Sequence, residues 1–300
     1  MIENTKNFLK LIRWFHELLA VFPFIGLYFV IQYYVKLSGQ TCHISGFDFI
    51  VLCLCVQLLL AAGCILNDIM DRDIDKINKP NTHIIGRTVS LSTAKRWFFL
   101  LSLLALLLSV YIACYVFAEW AFIAAGVYLL SVLYDMYLKR SPLIGNIVMA
   151  ALASFIPLVL FFFARDCIER LHNTNLNMLI LLYCFFPFFI IIPRELSLDI
   201  SDMEGDKAIG CKTLPILIGV KKAKWVVALF ILAIIGGSVV VSASHHYLLS
   251  SFIGIDLLLL VYLYLLKKSE KRIDYIKAGR FLWFVFILGL IGFTLATVYS

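Results

Sequence analysis

Nine runs of about 20 apolar residues, at approximately 14–37, 47–66, 97–118, 120–137, 143–164, 175–197, 224–243, 247–266 and 279–299, leave this chain few ways to fold. Each run is near the roughly 20 residues that cross a bilayer core as a helix. Lipid offers the backbone no hydrogen-bond partners, so spanning segments must be helices or closed barrels. The runs lack the period-two alternation of barrel strands. Composition agrees, since 62% of the 300 residues are hydrophobic and only 15% are charged, outside the range of soluble domains. The expectation is an all-α, multi-pass protein, a single domain over residues 1–300 with nine transmembrane helices. Lys6, Lys10 and Arg13 precede the first run, but no small-residue cleavage site follows it. It reads as a retained helix rather than a secretory leader.

Basic residues are sorted by loop. Of the 26 lysines and arginines, 22 fall in residues 1–13, 68–96, 138–142, 198–224 and 267–280, against Lys36, Arg165 and Arg170 on the alternate side and Arg194 inside a helix. The positive-inside rule then puts the amino terminus in the cytoplasm and the carboxyl terminus outside, in the cell (inner) membrane. The net charge of +7 is accounted for by this sorting and does not point to nucleic acid. Eight cysteines are scattered without a C-x-x-C pair, so neither a zinc site nor a redox site is supported. Cys42 and Cys167 both fall in loops on the non-cytoplasmic side, where a disulfide between them is compatible with the topology.

The polar interruptions carry the chemistry. Asn67-Asp68-Ile69-Met70-Asp71-Arg72-Asp73-Ile74-Asp75 follows the second run, and Asp68, Asp71 and Asp75 stand at i, i+3 and i+7. At about 100° per residue they share one helical face, within roughly 60° of arc. Like charges so placed repel, and a cation is expected among them. Asp199, Asp202 and Asp206 repeat the spacing after the sixth run, on the same side by charge counting. A solvated acidic loop is the plain alternative, but it does not explain two copies of one spacing that oppose the local positive bias. Carboxylate oxygens suit Mg²⁺, which keeps waters and is completed by substrate phosphates. The reading is two Asp-rich loops, 67–96 and 198–223, that hold divalent metal and a diphosphate. Asn67 adds a carbonyl ligand or a cap.

A diphosphate also needs cationic partners. Arg72, Lys76, Lys79 and Arg87 lie near the first stretch, and Lys207 and Lys212 near the second. Each serves equally well as a topology determinant. Arg13 and Arg194 are costlier placements, near membrane depth, and are functional candidates for that reason. Tyr134 and Lys139 close the fourth run: a lysine there binds phosphate, and a tyrosine steadies a developing cation through its π face or orients a nucleophile. Interfacial snorkelling is the ordinary alternative for both.

The run from Asn67 to Arg87, N-D-I-M-D-R-D-I-D-K-I-N-K-P…G-R, resembles the N-D-x-x-D-x-x-x-D motif of the UbiA superfamily of intramembrane prenyltransferases. Arg194-Glu195-Leu196 through Asp206, followed by Gly210-Cys-Lys-Thr-Leu-Pro215, resembles that family's second Asp-rich motif, and Tyr134 to Lys139 with Gly145-Asn146 fits its middle segment. The resemblance implies a helical bundle around a central cavity open to the cytoplasm, with Mg²⁺ holding a prenyl diphosphate between the two motifs. Asp71 and Asp75, with Asn67, match the first metal set, and Asp202 and Asp206 the second. The reaction implied is loss of diphosphate to an allylic carbocation, captured by a lipophilic acceptor. The R-E-x-x-x-D-x-x-D-x-E-G-D run and the I-N-K-P segment look most like the branch that prenylates a glycerol-phosphate lipid hydroxyl. Ile69 to Arg72 reads more like the quinone branch, whose acceptors are aromatic rings of the 4-hydroxybenzoate or dihydroxynaphthoate type.

Two other classes of membrane protein fit the sequence less well. A cation-coupled transporter places ionisable groups near the bilayer midplane on broken helices, whereas both triads here close helix ends. A CDP-alcohol phosphotransferase needs D-G-x-x-A-R ahead of paired aspartates, which neither stretch contains.

Overall fold

The computed structural model describes residues 2–39 and 44–300, and the side chains of all of these except Ile2, Glu3, Asn4 and His16. Thirteen α-helices follow one another among the described residues: α1 (Ile2–Leu11), α2 (Trp14–Ser38), α3 (Gly46–Met70), α4 (Arg72–Asn78), α5 (Leu91–Tyr115), α6 (Trp120–Met136), α7 (Ile144–Phe163), α8 (Arg165–Leu171), α9 (Thr174–Ala208), α10 (Leu214–Ile218), α11 (Val220–Ser244), α12 (Leu249–Lys268) and α13 (Arg272–Val298). No strand is present among the described residues beyond a single bridge between Ile85 and Val89. Short polar side chains start several helices by accepting a bond from an otherwise orphaned backbone N–H. Ser45 accepts from Asp48 N (3.2 Å), Ser90 from Thr93 N (3.1 Å) and Asn173 from Leu176 N (2.8 Å).

Eight of these helices are long and apolar enough to cross a membrane, which makes this an integral membrane protein. The apolar run at 120–137 forms a helix too, but at 17 residues it is shorter than the eight. Around the bundle, large apolar side chains such as Phe22, Phe29, Phe122 and Val240 face outward, as lipid contact requires.

The core is organised on α9. Its apolar window is 67% buried, against 44% or less for every other span. It packs against α13, α7 and α11 along its length and against α4 and α10 at its polar end. The α9–α13 seam is close because Gly289 leaves room for Phe186: a Cβ there would lie 2.4 Å from the ring. Deeper polar groups are satisfied across helices, with Ser197 Oγ 2.6 Å from Tyr262 Oη and donating to the Pro193 carbonyl at 2.8 Å.

Both acidic stretches, expected as loops, are largely helical. Residues 198–208 are the end of α9, whose 35 residues extend about 52 Å, well beyond a hydrocarbon core of about 30 Å. Within 67–96, α4 and the first turn of α5 flank a short turn region. Cys167 is disulfide-bonded, and Cys42, its expected partner, lies outside the described residues.

Candidate active site

The first acidic stretch keeps helical register through a single break. α3 ends at Met70 and α4 resumes at Arg72, with Asp71 between them at φ −90°, ψ 6°. Asp71 N donates to the Asn67 carbonyl and Asp75 N to the Asp71 carbonyl, both at 2.8 Å. Asp68, Asp71 and Asp75 each meet a cation of the chain itself. Arg13 donates to Asp68 and to Asn67 Oδ1, both at 2.9 Å. Lys139 Nζ lies 2.7 Å from Asp71, and Lys79 Nζ 2.9 Å from Asp75. Burial works most strongly against the Arg13 charge, but the Asp68 carboxylate together with Cys64 and Asp75 outweighs it and holds the guanidinium protonated.

Asn67 also donates to Asp135 Oδ1 at 2.8 Å, and Lys139 stands 3.6 Å from the same oxygen. Asp135 is 3% exposed and sits one helical turn before Lys139. This network joins the end of α6 to the end of α3. Lys139 is held there by a turn at residues 138–140 that rests on the start of α7. A Cβ at Gly145 would lie 2.8 Å from Lys139 Cα and 2.9 Å from the Leu138 carbonyl, so the close approach needs glycine.

On α9, Asp199 accepts from Asn146 Nδ2 at 2.9 Å, and Asp202 pairs with Arg272 at 2.9 Å. Asp206 lies within electrostatic range of Asp202, of Asp71 and of Lys139. The Cys211 thiol is pushed up by burial and by the Asp206 charge beside it. Tyr134 sits between the two stretches, in the fields of Glu195 and Asp199 on one side and Asp135 and Asp71 on the other. Arg194 pairs with Glu195 and stacks 5.0 Å over the Trp283 ring.

Two contacts fix the stretches relative to each other. Asn78, at the end of α4, donates to the Asp202 carbonyl at 3.1 Å and accepts from Gly205 N at 3.0 Å. A Cβ at Gly205 would fall 2.5 Å from Asn78 Nδ2. After α9 the chain turns at Gly210 (φ 79°), and Lys212 N donates to the Arg140 carbonyl at 2.9 Å.

Among the residues singled out from sequence, Arg13, Asn67, Asp68, Asp71, Asp75, Lys79, Tyr134, Lys139, Asn146, Arg194, Asp199, Asp202 and Asp206 belong to this one cluster at the polar end of the bundle. Arg72 instead turns to Asp73 at 3.3 Å on the exposed side of α4. Arg87 donates to the Asn81 carbonyl within its own turn. Lys207 and Lys212 are exposed at the rim. Sequence reasoning passed over Asp135, Glu195, Arg272, Asn78 and Gly205. Asp135 had a readable signal in its i, i+4 spacing to Lys139 on an otherwise apolar helix. Arg272 had none, being one of six cations near the start of the last helix.

The donor set fits a hard divalent cation: carboxylates and a carboxamide oxygen, with no imidazole or thiolate among them. Among the described residues no three carboxylates converge into one cage. That is compatible with Mg²⁺, which takes one or two carboxylates and fills its shell with water and phosphate oxygens.

Fold and site together define an integral membrane bundle with two carboxylate-rich helix ends set against each other and cations interleaved between them. The sequence model of the UbiA prenyltransferase family matches residues 20–287. Digeranylgeranylglyceryl phosphate synthase of Methanobrevibacter smithii is 30% identical over 245 residues, 77% of this chain and 83% of its own. That of Thermococcus kodakarensis is 31% identical over 251 residues, 83% and 85% of the two chains. A solved structure of a digeranylgeranylglyceryl phosphate synthase superposes over all of both chains with TM-score 0.66 at 25% identity. A UbiA homologue from Archaeoglobus fulgidus bound to GPP and Mg²⁺ shares the fold at TM-score 0.59 and 18% identity, covering 96% of this chain and 99% of that one. The chain belongs to the UbiA prenyltransferase family, and it is a prenyltransferase.

Proposed function

We propose that the chain transfers a geranylgeranyl-type group from its diphosphate to the hydroxyl of a glycerol-phosphate lipid, with Mg²⁺, at the cytoplasmic face of the cell membrane. In this reading nine helices span the bilayer, α6 being the short one, and the amino terminus is cytoplasmic. The observation that carries it is the clustering of Asp71, Asp206, Lys139 and Tyr134 at the one bundle end where both acidic helices finish. The acceptor class is supported by the resemblance to synthases of digeranylgeranylglyceryl phosphate over most of both chains, and it is preferred to aromatic quinone precursors on that ground.

Asp71 and Asp75 with Asn67 on one side, and Asp202 and Asp206 on the other, would hold the metal. Mg²⁺ supplies charge neutralisation for the leaving diphosphate. Lys139 and Arg272, each already beside a site carboxylate, offer further donors to phosphate oxygens, where charge grows as the C–O bond breaks. Arg13 and Lys79 hold Asp68 and Asp75 in place. Tyr134, in the fields of both acidic stretches, would favour the allylic cation through its π face. Apolar helices around the cluster keep bulk water from the cation.

The test is an acceptor panel. Membranes containing the protein are given labelled geranylgeranyl or farnesyl diphosphate with Mg²⁺ and either geranylgeranylglyceryl phosphate, 4-hydroxybenzoate or dihydroxynaphthoate. The expected product, by mass, is the diether phosphate. An aromatic product in its place overturns the acceptor assignment.

A further inference from the structure

A carboxylate that the diphosphate chemistry does not use lies one turn below Arg13. Glu17 opens the apolar span Glu17–Ser38 and is half-buried. Ionisable groups at that depth are costly and are retained for function. Among the described residues no ion pair involves Glu17, because Arg13 is committed to Asn67 and Asp68. Neutral donors meet it instead. Cys64 Sγ lies 3.9 Å from Oε1, and the Gln57 amide nitrogen lies 2.8 Å from Oε2 in the amide orientation that satisfies both groups. Gln57, Cys64 and Asp68 are spaced by seven and four residues, so they share one face of α3. That face forms a polar line of about 16 Å, from the acidic cluster into the apolar bundle. Cys64 is also within the fields of Arg13, Asp68 and Asp135, which ties the line to the cluster described above.

Glu17 is not among the carboxylates placed to hold metal, and without metal a carboxylate repels diphosphate, which leaves it the other half of the reaction. Resting on the prenyl-transfer reading, we propose that Glu17 is the proton acceptor for the acceptor hydroxyl. The acceptor oxygen gives a lone pair to C1 of the prenyl group and forms the ether bond. The bond from C1 to the diphosphate oxygen breaks, with its electron pair leaving on diphosphate. The hydroxyl O–H bond breaks and its proton passes to Glu17, which later releases it toward the cytoplasmic opening. Gln57 and Cys64 hold the carboxylate in the orientation that receives the proton.

The experiment gives the full-length protein in vesicles geranylgeranyl diphosphate, Mg²⁺ and geranylgeranylglyceryl phosphate, and separates ether product from the alcohol formed when water captures the cation. Glu17→Gln is expected to lower ether formation at least about a hundredfold, the lower end of the range for a lost general base, while alcohol becomes a larger share of product. Glu17→Asp recovers part of the ether. The titratable groups within range of Glu17 among the described residues are Arg13 on its own segment and Cys64 on α3. The acid limb of the rate profile therefore disappears in Glu17→Gln. It moves to higher pH in Gln57→Leu, which removes a donor to the carboxylate anion. A wild-type ether-to-alcohol ratio and an unchanged acid limb in Glu17→Gln overturn the proposal. So does a Gln57→Leu profile that keeps the wild-type limb, which also covers the case in which Glu17→Gln fails to fold. Wild-type vesicles that form no prenyl ether overturn the functional reading, and this proposal with it.

Discussion

Asn78 and Gly205 meet as a matched pair. One carboxamide accepts the Gly205 N–H at 3.0 Å and donates to the Asp202 carbonyl at 3.1 Å, and it fits only because position 205 has no side chain. α4 carries Asp75 and α9 carries Asp202 and Asp206, so this pair sets the separation of the two acidic helices. Gly205→Ala should cost about 1–3 kcal/mol through overpacking and reduce prenyl transfer. Adding Asn78→Ala to it should restore part of the thermal stability, since the clashing carboxamide is gone, but not the activity. Thermal unfolding in detergent and turnover of the two single variants and the double variant read this directly. Additive stabilities would show that the two positions do not communicate.

Lys139 is shared by Asp71 at 2.7 Å and Asp135 at 3.6 Å, and its own side chain is only 10% exposed. Lys139→Met leaves buried carboxylates without their cation, a loss on the order of 3–5 kcal/mol. The paired change Lys139→Met with Asp71→Asn should lose less than the sum of the two single losses. Gly145→Ala pushes on the same lysine from behind and should lower turnover while leaving Lys139 chemically intact. Unfolding curves for the three charge variants and rates for Gly145→Ala are the measurements.

Asp73 provides the contrast. It lies outside the cluster, exposed, with Lys76 at 2.8 Å and Arg72 at 3.3 Å. Hydrogen bonds from Lys76, then Arg72, hold its carboxyl below the usual range. A depressed carboxyl contributes where it is ionised, and that contribution fades as pH falls through its folded value. At neutral pH Asp73→Asn should therefore leave prenyl transfer within about twofold, as surface changes do. Asp71→Ala or Asp202→Ala should abolish transfer in protein that still inserts and purifies normally. Equal losses in all three variants would dissolve the distinction between the inner and outer carboxylates.

Removal of divalent metal should stop diphosphate release, and Mg²⁺ should restore it. Ca²⁺, with its longer bonds and looser shell, should restore much less. Diphosphate release measured after chelation and after re-addition of each ion checks this.

The length of the apolar runs makes the helices legible, because lipid forces each long run into one element. The candidate cluster is legible to the extent that chemistry repeats: Asp71 and Asp206 announce themselves through matched spacing. What remained hidden was contact between distant segments. Asn78 looks like any residue near a helix end until α9 is packed on it, and Gly205 like a linker glycine. Asp135 lies between Tyr134 and the helix end without a visible partner in the sequence, and Asn67, 68 residues earlier, supplies it. The acidic stretches are expected as loops, since each follows the end of an apolar run. In α9 the helix instead runs on past the apolar layer, since its Asp-bearing face is satisfied by Asn146 and Arg272.

The pairing of Arg13 with Asp68, Lys139 with Asp71, Lys79 with Asp75 and Arg272 with Asp202 has a consequence for how a highly charged substrate enters a membrane protein. Each of these four acids already has a base within reach, while Asp199 is met by the neutral Asn146 amide, so the charge of the pocket is in large part balanced before anything arrives. A diphosphate accompanied by divalent cations is also close to neutral. The two sets can exchange partners, bases turning to phosphate oxygens and acids to metal, as counter-ions trade places on a resin. Little net charge then has to be carried into the low-dielectric interior, and departure of the product reverses the trade.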